Sequence, residues 1–120
     1  MLLHLCGNIR QWIISSLGWF PDVRERDLEF STMGGFTKEE LIIRWQDTMH
    51  EAVTVITHTN LENLLRDRVV QGSTHSGIGI IIHVTEHYSY HTGQIIFLTK
   101  LYKNVDMGFY KGVKLNQRNA

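Results

Sequence analysis

Apolar residues occupy most of the first helical stretch of the chain, MLLHLCGNIRQWIISSL, and only Gly7 interrupts them as a helix breaker. Gly18 follows in the place that a helix C-terminus favours. This pattern predicts a helix from Leu2 to Leu17. Met1 is followed directly by the apolar sequence, without the Ser, Thr, Asp or Asn that usually caps the first amides of a helix. We therefore expect residues 2–17 to be the later part of a helix whose beginning is missing.

A long connection and a second helix follow. Residues 18–36 contain the only proline, a mixed cluster of charges and a Gly-Gly pair, which indicates a loop with room for one helical turn. Thr37 and Glu40 have the spacing of a capping box, in which hydroxyl and carboxylate each bind an amide of the helix start. The helix that starts there has an apolar stripe at helical spacing: Leu41, Trp45, Met49, Ala52 and Ile56.

Two more helices are predicted in the second half of the chain. The stretch Thr59-Asn-Leu-Glu62 repeats the capping pattern and predicts a short helix that ends near Arg66. Residues 72–77 are rich in turn formers, and a helical pattern then runs from Ile78 to about Tyr102. The run Ile80-Ile81-Ile82 alone could form a strand, but the length of the pattern favours a helix. Three long helices joined by polar loops predict an all-α bundle.

Length and charge limit the classes of function. With 120 residues, the chain is expected to form one domain, residues 1–120, around one core. Lys plus Arg equals Asp plus Glu at 12 each, so no net field attracts the protein to nucleic acid or to an anionic membrane. We therefore expect neither a nucleic-acid partner nor a membrane partner.

The compartment follows from cysteine usage and from the apolar segments. Cys6 is the only cysteine and leaves no pair for an internal disulfide, which suits a reducing compartment. The apolar start contains Arg10 and lacks the basic region and cleavage site of a signal peptide. The apolar run from Ile78 to Val84 is too short to span a bilayer. The sequence predicts a cytoplasmic protein.

Two histidines, His87 and His91, lie four residues apart on the last predicted helix. At about 3.6 residues per turn they project from one face about 40° apart, which suits shared binding of a metal ion. The same face carries Ile80 and Val84, where imidazoles without partners would be costly to bury. A solvent-facing or hydrogen-bonded pair without metal is the alternative interpretation, and the spacing alone leaves it open.

The first helix carries a narrow polar stripe: His4, Asn8, Gln11 and Ser15. Its flanks are apolar, which favours a stripe that lines an internal site and makes His4 a third imidazole. Three neutral imidazoles with positions left for water are typical of an open, catalytic site for Zn²⁺ or a similar ion. Core packing is the favoured interpretation of His83, and a role behind a ligand or as an alternative ligand stays open. Cys6 projects away from the stripe and is expected to pack. No catalytic residue is identified.

Three segments resemble the DinB/YfiT-like four-helix-bundle proteins, and within them an uncharacterised bacterial branch. They are LLHLCGNIRQWI (Leu2 to Ile13), PDVRERDLEF (Pro21 to Phe30) and HVTEHYSYHTGQIIFLTK (His83 to Lys100), and the similarity continues to about Tyr110. The last segment is the most specific, although it has His-Thr-Gly-Gln where many relatives have His-Arg-Gly-Gln. The resemblance implies a DinB-like up-down helical bundle with a long crossover loop.

The resemblance also implies a metal site. In that family, a histidine from the second helix and a His-x-x-x-His pair from the fourth hold a divalent ion, described as zinc or nickel. These positions fall on His4, His87 and His91, and Asn8 and Gln94 match positions in the pocket or behind the ligands. Relatives with an assigned activity look like metal-dependent hydrolases or transferases that activate a low-molecular-weight thiol, and many are dimers.

The chain departs from the family at its start, because relatives have a first helix before the segment that contains His4. We therefore expect a bundle that lacks the N-terminal helix of the four, with an apolar groove that a homodimer partner would cover. Two functions follow from these expectations. One is a metal-dependent hydrolase or small-thiol-dependent transferase with a small-molecule substrate, and the other is a non-catalytic dimeric bundle with a ligand-binding or structural role.

Overall fold

The computed structural model of the protein describes residues 1–118, which form five helices and one small antiparallel sheet. The helices are α1 (Leu2–Ile9), which continues as a π-helical segment (Arg10–Leu17), α2 (Arg26–Ser31), α3 (Lys38–His58), α4 (Leu61–Leu65) and α5 (Gly77–Lys103). The strands are β1 (Asp67–Val70) and β2 (Ser73–Ser76). The described chain is mostly helical, as predicted, but the all-α prediction missed the hairpin.

The first helix starts at Leu2, directly after Met1, and no side chain caps it. Its second half has π-helical hydrogen bonding, in which an amide binds the carbonyl five residues earlier; the amide of Gly18 donates to the carbonyl of Ile13 at 2.9 Å. Gly18 ends the segment, as predicted, and Trp19 then takes a positive φ of 63°. This helix supplies more of the core than any other described element, through Leu5, Ile9, Trp12, Ile13, Ile14 and Leu17.

The capping box at the start of α3 is confirmed. The amide of Glu40 donates to Thr37 Oγ1 at 3.1 Å, and the amide of Thr37 donates to Glu40 Oε2 at 2.7 Å. The predicted apolar stripe faces α1 only in part: Ala52 is buried, and the other stripe positions are half-buried. Thr48 is also buried there, which the pattern of apolar residues could not indicate.

The segment between α3 and α5 differs from the prediction in two ways. The short helix α4 is capped by Asn60, whose Oδ1 accepts from the amide of Asn63 at 2.8 Å, so the predicted cap at Thr59 is wrong. Residues 67–76 then form an antiparallel hairpin. Its two turn residues, Gln71 and Gly72, both have positive φ, as a tight hairpin turn requires. The strands have only four residues each and the turn lacks Asn-Gly, so the hairpin pattern is weak in the sequence.

Helix α5 confirms the predicted last helix. Ser76 caps it, because its hydroxyl accepts from the amide of Gly79 at 3.1 Å, and Asn104 ends it in the left-handed conformation. Gly77 allows its close approach to α4, because a Cβ at this position would lie 2.5 Å from the carbonyl oxygen of Asn63. The side chains of α5 that reach the core come from its first half, at Ile80 and Val84.

The core lies where the first helix meets α3 on one side and α5 on the other. This arrangement places His4 of the first helix against the middle of α5, where the histidine pair lies. Among the described residues, no helix has both the length and the apolar character needed to cross a membrane.

Candidate metal centre

The structure brings together the three histidines that the sequence singled out. His4 comes from the first helix, and His87 and His91 come from one face of α5. The Nε2 atoms of His4 and His87 lie 3.1 Å apart, and one ligand nitrogen from each of the three residues lies within 4.8 Å of the others. Residues more than 80 positions apart in sequence therefore converge on one point.

These separations suit one small cation. Two nitrogens bound tetrahedrally to an ion at about 2.0–2.1 Å lie roughly 3.3 Å apart, close to the observed separation of His4 and His87. The other ligand-atom separations are at most 4.8 Å, and an ion bound by all three histidines would draw the more distant atoms together. His4 is buried and the other two imidazoles are half-buried, so the site lies at the edge of the helical interface.

The hydrogen bond of His91 leaves its Nε2 free to bind an ion. Gln94 Oε1 lies 2.8 Å from His91 Nδ1, and Gln94 Nε2 donates to the hydroxyl of Tyr90 at 2.9 Å. The hydrogen bond to Tyr90 orients the amide, so its oxygen faces His91 and accepts a hydrogen bond from the Nδ1–H group. In that tautomer Nε2 carries a lone pair, as metal-binding histidines require.

A carboxylate orients His4 in the same way. Glu29 Oε2 lies 2.9 Å from His4 Nδ1, which therefore donates to the carboxylate and leaves Nε2 with a lone pair. Arg24 holds Glu29 with two bonds, from Nε to Oε1 at 2.7 Å and from Nη2 to Oε2 at 2.8 Å. The side chains of Arg24 and Glu29 are only 3% and 9% exposed, so this is a protected, bidentate ion pair.

No carboxylate was predicted near the imidazoles, and Gly7 was interpreted only as a helix breaker. The structure corrects both points. Glu29 lies in α2, within the connection, and reaches His4 because Gly7 has no side chain; a Cβ at Gly7 would collide with the Glu29 carboxylate. The segment PDVRERDLEF contains Arg24 and Glu29, but no periodicity in an irregular segment indicates which of its charges turns inward.

The other residues of the polar stripe follow His4 along the first helix. Asn8 follows His4 by one turn, is 4% exposed, and has an Oδ1 without a hydrogen-bond partner among the described residues. Buried polar atoms without partners are rare in folded proteins, so this oxygen stands apart from most buried polar atoms of the described chain. Gln11 binds the guanidinium of Arg24 at 2.9 Å, and Ser15 is half-buried farther along.

The remaining histidines lie outside this group of three. His83 stacks on Trp12 with ring centroids 3.9 Å apart, which favours core packing over a role behind a ligand. His50 and His58 are exposed. Cys6 is buried as expected, and burial raises the pKa of its thiol, which keeps it protonated and unreactive at neutral pH.

Burial sets the charge state of the site. It lowers the pKa of His87 to about 4, and the neighbouring imidazoles and the Arg24 guanidinium act in the same direction. Burial also lowers the pKa of His4, because it outweighs the opposing effect of the Glu29 carboxylate. Burial alone would raise the pKa of Glu29, but the hydrogen bonds and charges of Arg24 and His4 together lower it. At neutral pH, His4 and His87 are therefore neutral, as metal ligands must be, and Glu29 is ionised.

The chain matches the family model of DUF1572, described as a protein of unknown function, over residues 1–111. The chain belongs to the DUF1572 family. The matched DUF1572 range contains every residue of the candidate centre, from His4 to Gln94. No curated protein and no solved structure matches the chain.

Gly7→Ala tests whether close approach of Glu29 supports the centre. The added methyl should displace the carboxylate from His4 and leave the buried Arg24 poorly paired, which should lower the free energy of unfolding by about 1–3 kcal/mol in urea denaturation. This is opposite to the roughly 1 kcal/mol that alanine normally adds over glycine within a helix. The matched control is Gly93→Ala, whose added Cβ meets nothing within 4 Å and which should leave stability unchanged or raised. Unchanged or increased stability in Gly7→Ala would show that the clash is absent.

The metal-free protein should lose stability as the pH falls through the range below neutrality. The pKa of His87 is about 4 in the folded chain and 6.5 in its ordinary state, so the unfolded chain binds more protons between these values. Stability therefore rises with pH across this window. Melting temperatures in the presence of chelator, from pH 7 to pH 4, should fall less steeply for His87→Gln than for the wild type. His50→Gln is the control and should follow the wild type; equal slopes in all three proteins would contradict the account.

Proposed function

We propose that the protein binds one divalent cation, Zn²⁺ or Ni²⁺, through the imidazoles of His4, His87 and His91. One observation carries this proposal: three imidazoles from two helices converge, and His4 and His91 each form a hydrogen bond from Nδ1 to an oxygen acceptor. Neutral imidazole nitrogens suit zinc and nickel, whereas magnesium and calcium prefer oxygen ligands. The donor set therefore fits the ion that the DinB/YfiT-like resemblance implies.

We further propose that the protein is a DinB-like metal-dependent enzyme, either a hydrolase or a small-thiol-dependent transferase acting on a small molecule. Three protein ligands leave coordination positions for water or substrate, and a bound ion there supplies Lewis-acid activation. The buried Oδ1 of Asn8, which has no hydrogen-bond partner among the described residues, would accept a hydrogen bond from the bound molecule. Glu29 is engaged by Arg24 and His4, so it positions His4 and is not free to act as the general base.

The alternative proposal is a non-catalytic dimeric bundle in which the ion and the fold serve a ligand-binding or structural role. Its support is the exposed apolar surface of the second half of α5, where Phe97 and Leu101 are 65% and 63% exposed. Apolar patches of this kind often mark interfaces between proteins. The cytoplasmic location stays a prediction from the sequence.

Zinc titration tests the metal-binding proposal. Protein purified without chelator, then titrated with Zn²⁺ against a chromophoric competitor, should bind about one ion per chain, and saturation at 100 times Kd should stabilise the fold by about 2.7 kcal/mol. His4→Ala, His87→Ala and His91→Ala should each lower affinity by more than the about 10–100-fold that loss of an outer partner typically costs.

His50→Ala is the matched control, because His50 is exposed on α3 and lies outside the group of three. It should bind zinc as the wild type does. Wild-type protein that takes up no zinc would refute the proposal. A ligand variant that loses zinc together with most of its stability would favour the structural role, whereas one that loses zinc and stays folded would favour the enzyme.

The same purified protein tests the proposed homodimer. Light scattering coupled to size exclusion should give twice the chain mass of 13.9 kDa. Phe97→Lys on the exposed surface of α5 should shift the mass toward the monomer, because a buried lysine at a symmetric interface costs several kcal/mol. A monomeric wild-type protein at all concentrations would rule out the dimer.

A further inference from the structure

The connection between the first helix and α3, residues 18–36, is held in place mainly by polar contacts. No residue of α2 is buried, and its apolar side chains Leu28 and Phe30 are 54% and 58% exposed. The best protected side chains of the connection belong instead to Arg24 and Glu29. A segment with little apolar burial has a low local stability, so the few contacts that hold it decide whether it docks.

Those few contacts meet at His4. Glu29 accepts from His4 Nδ1, and the ring of Phe30 lies 5.0 Å from the ring of His4. Arg24 completes the docked arrangement, because it binds Glu29 twice and also donates from Nη1 to Gln11 on the first helix at 2.9 Å. Three residues of the connection therefore converge on the one imidazole that the first helix contributes to the candidate centre.

We propose that Glu29 is a positioning residue of the metal centre, and that metal occupancy is coupled to docking of the connection onto the first helix. This inference rests on the proposed metal-binding function. When the connection is docked, Glu29 fixes the Nδ1–H tautomer of His4 and makes its Nε2 a better ligand. When the connection is undocked, His4 loses this acceptor and samples other tautomers and rotamers.

The coupling is reciprocal. If docking raises the affinity of the centre for an ion by some factor, then the ion stabilises the docked connection by the same factor. Loss of the outer partner of a metal-bound histidine typically costs about 10–100-fold in affinity, which sets the expected size of the coupling. The connection also forms one wall of a cavity of about 920 Å³ beside α3, so metal binding would fix the shape of that cavity.

Hydrogen exchange measured by mass spectrometry tests the coupling in the full chain. Saturating Zn²⁺, compared with chelator, should slow amide exchange in residues 18–36 by about 10–100-fold. Exchange in residues 61–76, which form α4 and the hairpin away from the centre, serves as the internal reference and should change little. The zinc affinity of each sample is measured in parallel by competition with a chromophoric chelator.

Three variants separate the role of Glu29 from general damage. Glu29→Ala should lower zinc affinity about 10–100-fold and abolish the zinc-dependent slowing of exchange, even when zinc is saturating. Glu29→Gln keeps an acceptor oxygen for His4 without the charge and should fall between Glu29→Ala and the wild type. Glu25→Gln removes an exposed charge from the same connection and should behave as the wild type.

The outcomes distinguish this inference from the proposed function. If the wild type binds zinc but exchange in residues 18–36 does not change, the coupling is wrong and the metal-binding function stands. If the wild type binds no zinc, the proposed function fails and the coupling fails with it. If Glu29→Ala does not fold, the comparison of Glu29→Gln with the wild type still tests the role of Glu29. Equal zinc affinity and equal zinc-dependent slowing of exchange in those two proteins would overturn the role of the Glu29 charge.

Discussion

Two imidazole nitrogens 3.1 Å apart cannot both direct lone pairs at each other without a proton or a cation between them. The Nδ1–H group of His4 donates a hydrogen bond to Glu29, so His4 Nε2 directs a lone pair toward His87. His87 can satisfy it by donating from Nε2, and in the proposed metal-bound state both nitrogens would instead bind the ion. The packing of the first helix against α5 holds these two nitrogens close together, and the geometry of the candidate site depends on that packing.

The protein environment keeps the imidazoles of His4 and His87 neutral, which is the form that binds a cation. Burial lowers the pKa of His87 and His4, so protons compete weakly with a cation there. Arg24 and Glu29 carry opposite charges and pair with each other, which places an ionised carboxylate behind His4 without adding net charge. The site thus combines neutral imidazoles with a hydrogen-bond acceptor that orients His4 from behind, an arrangement that strengthens metal binding by histidine.

Regular elements made part of this site predictable from sequence. His87 and His91 share a face because of helical periodicity, and His4 stood out because its stripe is polar between apolar flanks. Gln94 was expected beside the ligands and binds His91. Arg24, Glu29 and Gly7 were missed because their contacts join an irregular connection to a helix across many residues, and no local pattern encodes such a contact. The hairpin was missed for a related reason, since its strands are short and β2 is polar.

The most direct measurement is the X-ray absorption spectrum at the zinc edge of protein loaded with one equivalent of Zn²⁺. The account predicts a first shell of light atoms at about 2.0–2.1 Å, with multiple scattering from about three imidazole rings and no sulfur. A shell without imidazole scattering, or one with sulfur at about 2.3 Å from Cys6, would contradict it.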